Sequence, residues 1–158
     1  TLLVLQLVCC TSLLSPSGLD AILTMNTEEK PESANAFDWI GGEERVKALV
    51  ERFYDLMDLE PAYKALRAAH GSDLASARDK LFWFLCGWLG GPNHYIERFG
   101  HPRLRARHLP FKIGIKERDQ WLACMDQAMG EVGNDEALRA RLRESFFGTA
   151  DWMRNTPL

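Results

Sequence analysis

The sequence predicts an all-α fold in a single domain, and three observations carry that prediction. From Gly42 onward, apolar residues recur at i, i+3 and i+4 intervals with charged residues between them. No run alternates apolar and polar residues in the manner of a strand, and no internal repeat is present. The helical pattern gives way to a stretch, 90–114, rich in Gly, Pro and His; so long an irregular segment inside a compact domain is unusual and often functional. A length of 158 residues suits one domain. A chain of this size buries roughly 68–70% of its unfolded surface, enough to enclose an apolar cofactor beside a core.

Residues 1–24 stand apart. Thr1 to Leu14 is rich in Leu and Val, no Lys or Arg precedes Lys30, and Ser15-Pro16-Ser17-Gly18 breaks the run. The stretch lacks the basic start of a secretory signal and the roughly 20 apolar residues of a membrane span. We expect 1–24 to be an apolar extension outside the native protein, with a weak export or anchor segment as the alternative. Met25 opens a polar run, and 25–37 is expected to be a flexible arm, which leaves 38–154 as the folded domain.

The first long helix carries Val46, Leu49, Val50, Phe53 and Met57 on one face, with Glu43 and Glu44 suited to its positive N-terminal end. A shorter helix over 60–69 follows Pro61. His70-Gly71-Ser72-Asp73 is a break and a cap for the next helix. That helix places Leu74, Ala77, Leu81, Phe84, Leu85 and Trp88 on a broad face and ends at Gly90-Gly91-Pro92. Within 90–114 one helical turn is expected near 94–98 and another near 102–107. Trp121, Leu122, Met125, Ala128, Met129 and Val132 define a further helix, stopped at Gly133. Leu138, Leu142, Phe146, Thr149 and Met153 define the last, capped by Asn134 or Asp135.

Charge and cysteine content exclude several classes. The net charge is −3, the pI is about 5.8, and basic residues accumulate only at 103–107, so neither nucleic acid nor a membrane surface is an expected partner. The four cysteines, Cys9, Cys10, Cys86 and Cys124, form no C-x-x-C pair, which argues against structural zinc. Cys86 and Cys124 fall in apolar helical patterns and read as small buried groups of a reducing, cytoplasmic compartment. Of the four histidines, His94, His101 and His108 are spaced by seven, but Gly100 and Pro102 forbid the regular helix a shared zinc site would need. His101, in Gly-His-Pro, reads as a turn residue.

The most informative stretch is Gly100-His101-Pro102-Arg103-Leu104-Arg105-Ala106-Arg107-His108-Leu109-Pro110-Phe111. It sets an imidazole beside an apolar Leu-Pro-Phe corner and behind three arginines. Haem wants that combination: an axial imidazole for iron, apolar surface for the ring, and cations for two propionates.

With Phe53-Tyr54, Leu89-Gly90-Gly91-Pro92-x-x-Tyr95 and Glu117-Arg118-Asp119-x-Trp121-Leu122-x-Cys124-Met125, this stretch makes four blocks over about residues 38–153 that resemble the group II truncated haemoglobins in order and spacing. The resemblance implies a two-over-two globin fold, helix pairs sandwiching haem b. His108 matches the proximal ligand, with Nε2 on the iron and Nδ1–H held by a carbonyl. Tyr54 matches the distal tyrosine, although an amphipathic core tyrosine reads the same way. Trp121 matches the tryptophan whose indole N–H, a donor only, faces bound ligand; an ordinary core tryptophan would be buried likewise. Ala77 stands where many globins carry a distal histidine and Leu81 where some relatives carry Gln, so both remove a donor and line the pocket. His70 is a candidate to donate to bound ligand or to coordinate the iron, against a capping or solvent-facing alternative. Lys80, Tyr95 and Arg107 are candidates for the propionates, against plain solvated groups.

The function implied is binding of O2, CO and NO at an iron held by His108. It is joined to redox chemistry, as a nitric oxide dioxygenase or peroxidase fed by a separate reductase. The alternative is an oxygen scavenger or gas sensor without turnover. No residue is assigned as catalytic. No phosphate-cradling pattern follows Gly90-Gly91, so no nicotinamide or flavin motif accompanies the domain. Group II relatives are often dimeric, which makes a homodimer an expectation of the resemblance.

Overall fold

In the computed structural model, residues 35–157 are described, and all regular structure among them is helical. Eight α-helices follow in order: α1 Ala36–Ile40, α2 Glu43–Leu59, α3 Lys64–Ala68, α4 Ala75–Trp88, α5 His94–Phe99, α6 Leu104–His108, α7 Ile115–Glu131 and α8 Glu136–Trp152. The expectations for 1–24 and for most of the arm lie outside the described residues.

The arm is shorter than the sequence suggested. Its boundary at 37 falls inside α1, which Asn35 caps by accepting from Asp38 N–H at 2.9 Å. The helix is docked, because Phe37 N–H donates to Leu89 O at 2.9 Å and Asn35 Nδ2 donates to Gly90 O at 2.8 Å. Gly91 makes the docking possible: a Cβ there would lie 2.5 Å from the Phe37 ring. A helix of five residues has too few periods to register in the apolar pattern.

α2 is the central element. Val46, Leu49 and Phe53 are fully buried, and Val50, Leu56 and Met57 nearly so; each contributes on the order of 1.5–3 kcal/mol by leaving water. The helix ends because Glu60 precedes Pro61 and takes an extended conformation, φ −92° and ψ 121°. The helix expected over 60–69 is instead a 3-10 turn, Pro61–Tyr63, followed by α3; Tyr63, at φ −104° and ψ 18°, leaves the helical region between them. Asp73 accepts from Ala75 N–H at 2.9 Å at the head of α4, as the sequence suggested. At the head of α8 the cap is Asp135, which accepts from Leu138 N–H at 3.0 Å, and not Asn134.

α2 packs against α7 on one side and α4 on the other, and α7 packs against α8. These four helices enclose one core that includes Phe53, Leu85, Met125, Met129, Leu138 and Phe146. The helices α5 and α6 and the segment joining them to α7 form one flank of this frame. Among the described residues no helix is long and apolar enough to cross a membrane.

Candidate functional site

The site begins at a strained turn. Arg103, just ahead of α6, lies in the left-handed region at φ 45° and ψ 48°, which costs a residue with a side chain roughly 1–2 kcal/mol. Its N–H donates to His101 Nδ1 at 3.1 Å, so His101 is a turn residue, as Gly-His-Pro suggested. From this turn α6 delivers His108, whose Nδ1 lies 2.6 Å from Leu104 O. A carbonyl oxygen only accepts, so Nδ1 carries the proton and Nε2 presents its lone pair. Nε2 has no partner among the described residues. An open cleft of about 550 Å³ flanks the helix, lined by Phe84, Trp88, Leu104, Leu109 and Trp152, with Arg103 and Arg105 also on its wall.

Two more groups with hydrogen-bonding capacity stand unused on α2 and α7. Tyr54 is 5% exposed, its hydroxyl has no partner among the described residues, and burial pushes its phenol well above the ordinary value. Trp121 is half-buried and its indole N–H is likewise unpaired among the described residues. Phe53 joins them, with ring centroids 5.0 Å from Tyr54 and 5.4 Å from Trp121. Trp121 meets Phe146 edge-on at 5.3 Å, and Phe146 stacks on Trp88 at 4.8 Å. An aromatic tier thus runs from Tyr54 to the cleft wall.

His70 stands against this tier, its ring 6.0 Å from that of Tyr54 and perpendicular to it. Its Nδ1 lies 2.9 Å from Leu66 O and therefore carries the proton, leaving Nε2 bare. Burial holds its pKa below 6.5 against the opposing effect of the bond to Leu66 O, and the charge of Arg67 pushes the same way as burial. In this tautomer Nε2 of the neutral ring offers a lone pair and no hydrogen. Of the two roles suggested by the sequence, donation to a bound ligand needs a protonated ring, which this environment opposes.

A family model described as bacterial-like globin matches residues 35–155. The chain belongs to the bacterial-like globins. Within them it is a group II truncated haemoglobin. This globin is 44% identical over 107 residues to Group 2 truncated hemoglobin YjbI of Bacillus subtilis (strain 168), a match covering 68% of the chain and 76% of that protein. It superposes with a TM-score of 0.77 on the group II 2-on-2 hemoglobin of Agrobacterium tumefaciens, at 40% identity, covering 82% of this chain and all (100%) of that one. The truncated oxygen-avid haemoglobin of B. subtilis matches with a TM-score of 0.71 and 40% identity, over 77% of this globin and 100% of that chain. Membership implies haem as the cofactor and haem-based binding of O2.

The residues of this globin fit that group. An imidazole with its proton fixed on Nδ1 leaves the lone pair that iron requires, and the neighbouring cleft is apolar with Arg103 and Arg105 on its wall, although His108, Tyr95 and Arg107 do not themselves line it. Ala77 and Leu81 pack half-buried against the core from α4, offering no polar atom. Tyr95 is 8% exposed, and the Arg107 guanidinium lies 5.8 Å from its ring centroid while Nε donates to Pro102 O at 2.9 Å. The fold thus brings Tyr95 and Arg107 together. Lys80 is exposed, and no contact among the described residues joins it to either.

Two neighbours of the site were missed in the sequence. Arg78 lies 5.6 Å from the Tyr54 ring centroid and ties α4 to α2 through Glu51 at 2.5 Å and Asp55 at 2.7 Å. These partners are 23 and 27 positions away, beyond the reach of any helical spacing rule. Asn155, after α8, reaches the backbone of His108 itself.

Proposed function

We propose that His108 Nε2 would hold haem b in this globin and that the iron would bind O2, CO or NO. The observation that carries the reading is the bond between Nδ1 of His108 and Leu104 O, which fixes the tautomer and increases the basicity of the ligating nitrogen. Haem supplies an iron centre that takes a diatomic gas and can exchange electrons with it. The chain supplies the environment. Tyr54 and Trp121 each offer a donor unpaired among the described residues, and Ala77 and Leu81 add apolar surface from α4. Tyr95 and Arg107, which lie together, and the exposed Lys80 are the candidates to hold the propionates. A donor bond to a charged acceptor contributes roughly 1.5–3 kcal/mol, so two of them slow oxygen release by roughly 10²–10⁴-fold. Retention on that scale favours use of oxygen over delivery. The structure described as oxygen-avid supports the same reading by relationship.

The use we infer is conversion of NO to nitrate or turnover of peroxide in the cytoplasm, with electrons from a separate reductase and the globin acting as a homodimer. The test begins with absorption spectra of ferric, ferrous and CO-bound protein. A Soret band that is lost from His108→Gly and restored by added imidazole is the expected result. A band indifferent to that substitution, or protein that refuses haemin, removes the assignment. Mixing oxygenated protein with NO and measuring nitrate then separates turnover from simple storage or sensing.

A further inference from the structure

The helix that presents His108 cannot hold itself. α6 has five residues, whereas an isolated helix shorter than roughly 12–15 residues is marginal in water. The segment after it, 109–114, has no regular structure, so its backbone groups need partners from elsewhere. Some are local, since Leu109 N–H donates to Arg105 O, Phe111 N–H to His108 O at 3.0 Å and Gly114 N–H to Glu117 Oε2 at 2.8 Å; others come from the residues that follow α8. Asn155 Nδ2 donates to His108 O at 3.1 Å and to Phe111 O at 2.7 Å, while its Oδ1 accepts from Ile113 N–H at 3.0 Å. Ile113 O in turn accepts from the N–H groups of Asn155 and Thr156, at 3.0 and 3.3 Å, and from Thr156 Oγ1 at 3.1 Å. From the α6 side, Arg105 Nη1 donates to the carbonyls of Trp152 and Arg154, the latter at 3.1 Å.

We infer that Asn155 is a positioning residue for the axial histidine: its side-chain amide clamps both ends of the turn leaving α6 and so sets how His108 meets the iron. The inference rests on the reading of His108 as the haem ligand. One side chain satisfies three backbone groups within six residues, 108–113, and one of them belongs to the ligand residue. Arg105 grips the preceding turn of the same helix, so α6 is held from one side by a single segment, 152–156.

Two substitutions separate the parts of the clamp. Asn155→Ala removes all three side-chain bonds. Asn155→Asp keeps the shape and the acceptor for Ile113 N–H but loses both donations, to His108 O and Phe111 O. The measurement is the iron–histidine stretching band of the ferrous protein by resonance Raman, with the rate of haem loss to an acceptor globin. Both variants are expected to shift the band to lower frequency and to lose haem roughly tenfold faster. A role confined to anchoring Ile113 would leave Asn155→Asp like wild type, and an unchanged band in both variants overturns the inference while leaving His108 as ligand. Absence of the band from the wild-type protein instead sinks the ligand assignment. Should neither variant retain its fold, hydrogen exchange of the wild-type Asn155 side-chain amide decides: slow exchange of its Nδ2 hydrogens is expected, and exchange at the rate of a free amide overturns the clamp.

Discussion

At the scale of single residues, the site is legible as a set of proton positions. Leu104 O and Leu66 O each fix a histidine proton on Nδ1, and so leave His108 and His70 with bare Nε2 atoms. Tyr54 and Trp121 hold the complementary property, hydrogens without acceptors among the described residues. Trp121→Phe keeps an aromatic ring against Phe53 and Phe146 but deletes the donor. Its expected effect is faster O2 dissociation, by roughly tenfold or more, measured by stopped-flow displacement with CO; an unchanged rate removes the indole from ligand retention. His70 gives a pH dependence whose sign follows from its lowered pKa. As pH falls below 6.5 the unfolded chain takes up this proton before the folded one does, so stability drops between 6.5 and the folded value and is level below it. His70→Phe is expected to flatten that part of the profile, read as the urea midpoint between about pH 7 and pH 5. Parallel profiles for the two proteins would show that burial of His70 carries no such cost.

At the scale of elements, short-range pattern was a good guide where a helix carries its own apolar stripe and a poor one where it is held by others. The stripes of α2, α4, α7 and α8 were all readable from spacing, because each buries a face against the same core. α1 left no mark in the pattern, and the arm boundary fell inside it, since its docking depends on Asn35 and Phe37 meeting Gly90 and Gly91 more than fifty residues away. A consequence is testable: Gly91→Ala drives a methyl group into the Phe37 ring and is expected to cost about 1–3 kcal/mol. Thermal denaturation should show it, with Phe37→Ala recovering part of the loss in the double variant. Additive losses would mean that the ring and the glycine do not meet. α6 has the same dependence on distant partners, which explains why the sequence placed its start at 102; Arg103 in the left-handed region delays the helix to Leu104.

At the scale of the whole molecule, one set of rings serves both core and site. Phe53 is fully buried and touches both Tyr54 and Trp121. Phe53→Ala is expected to destabilise the fold by roughly 3–5 kcal/mol, whereas Phe147→Ala, on a side chain 50% exposed, should stay within about 0.5 kcal/mol; chemical denaturation of both variants checks the contrast. The candidate ligand and distal groups were named from the sequence because they sit in short motifs. The clamp at Asn155 and the Arg78 tie could not, because their meaning arises only when α8 and α4 fold back on their partners. The same aromatic tier has an optical consequence. Of five tryptophans, Trp121 and Trp88 flank Phe146, and Trp88 borders the cleft. A porphyrin bound in that cleft, as proposed, would drain the excitation of these indoles, so the chain's own ultraviolet emission would dim in step with loading, without any added dye.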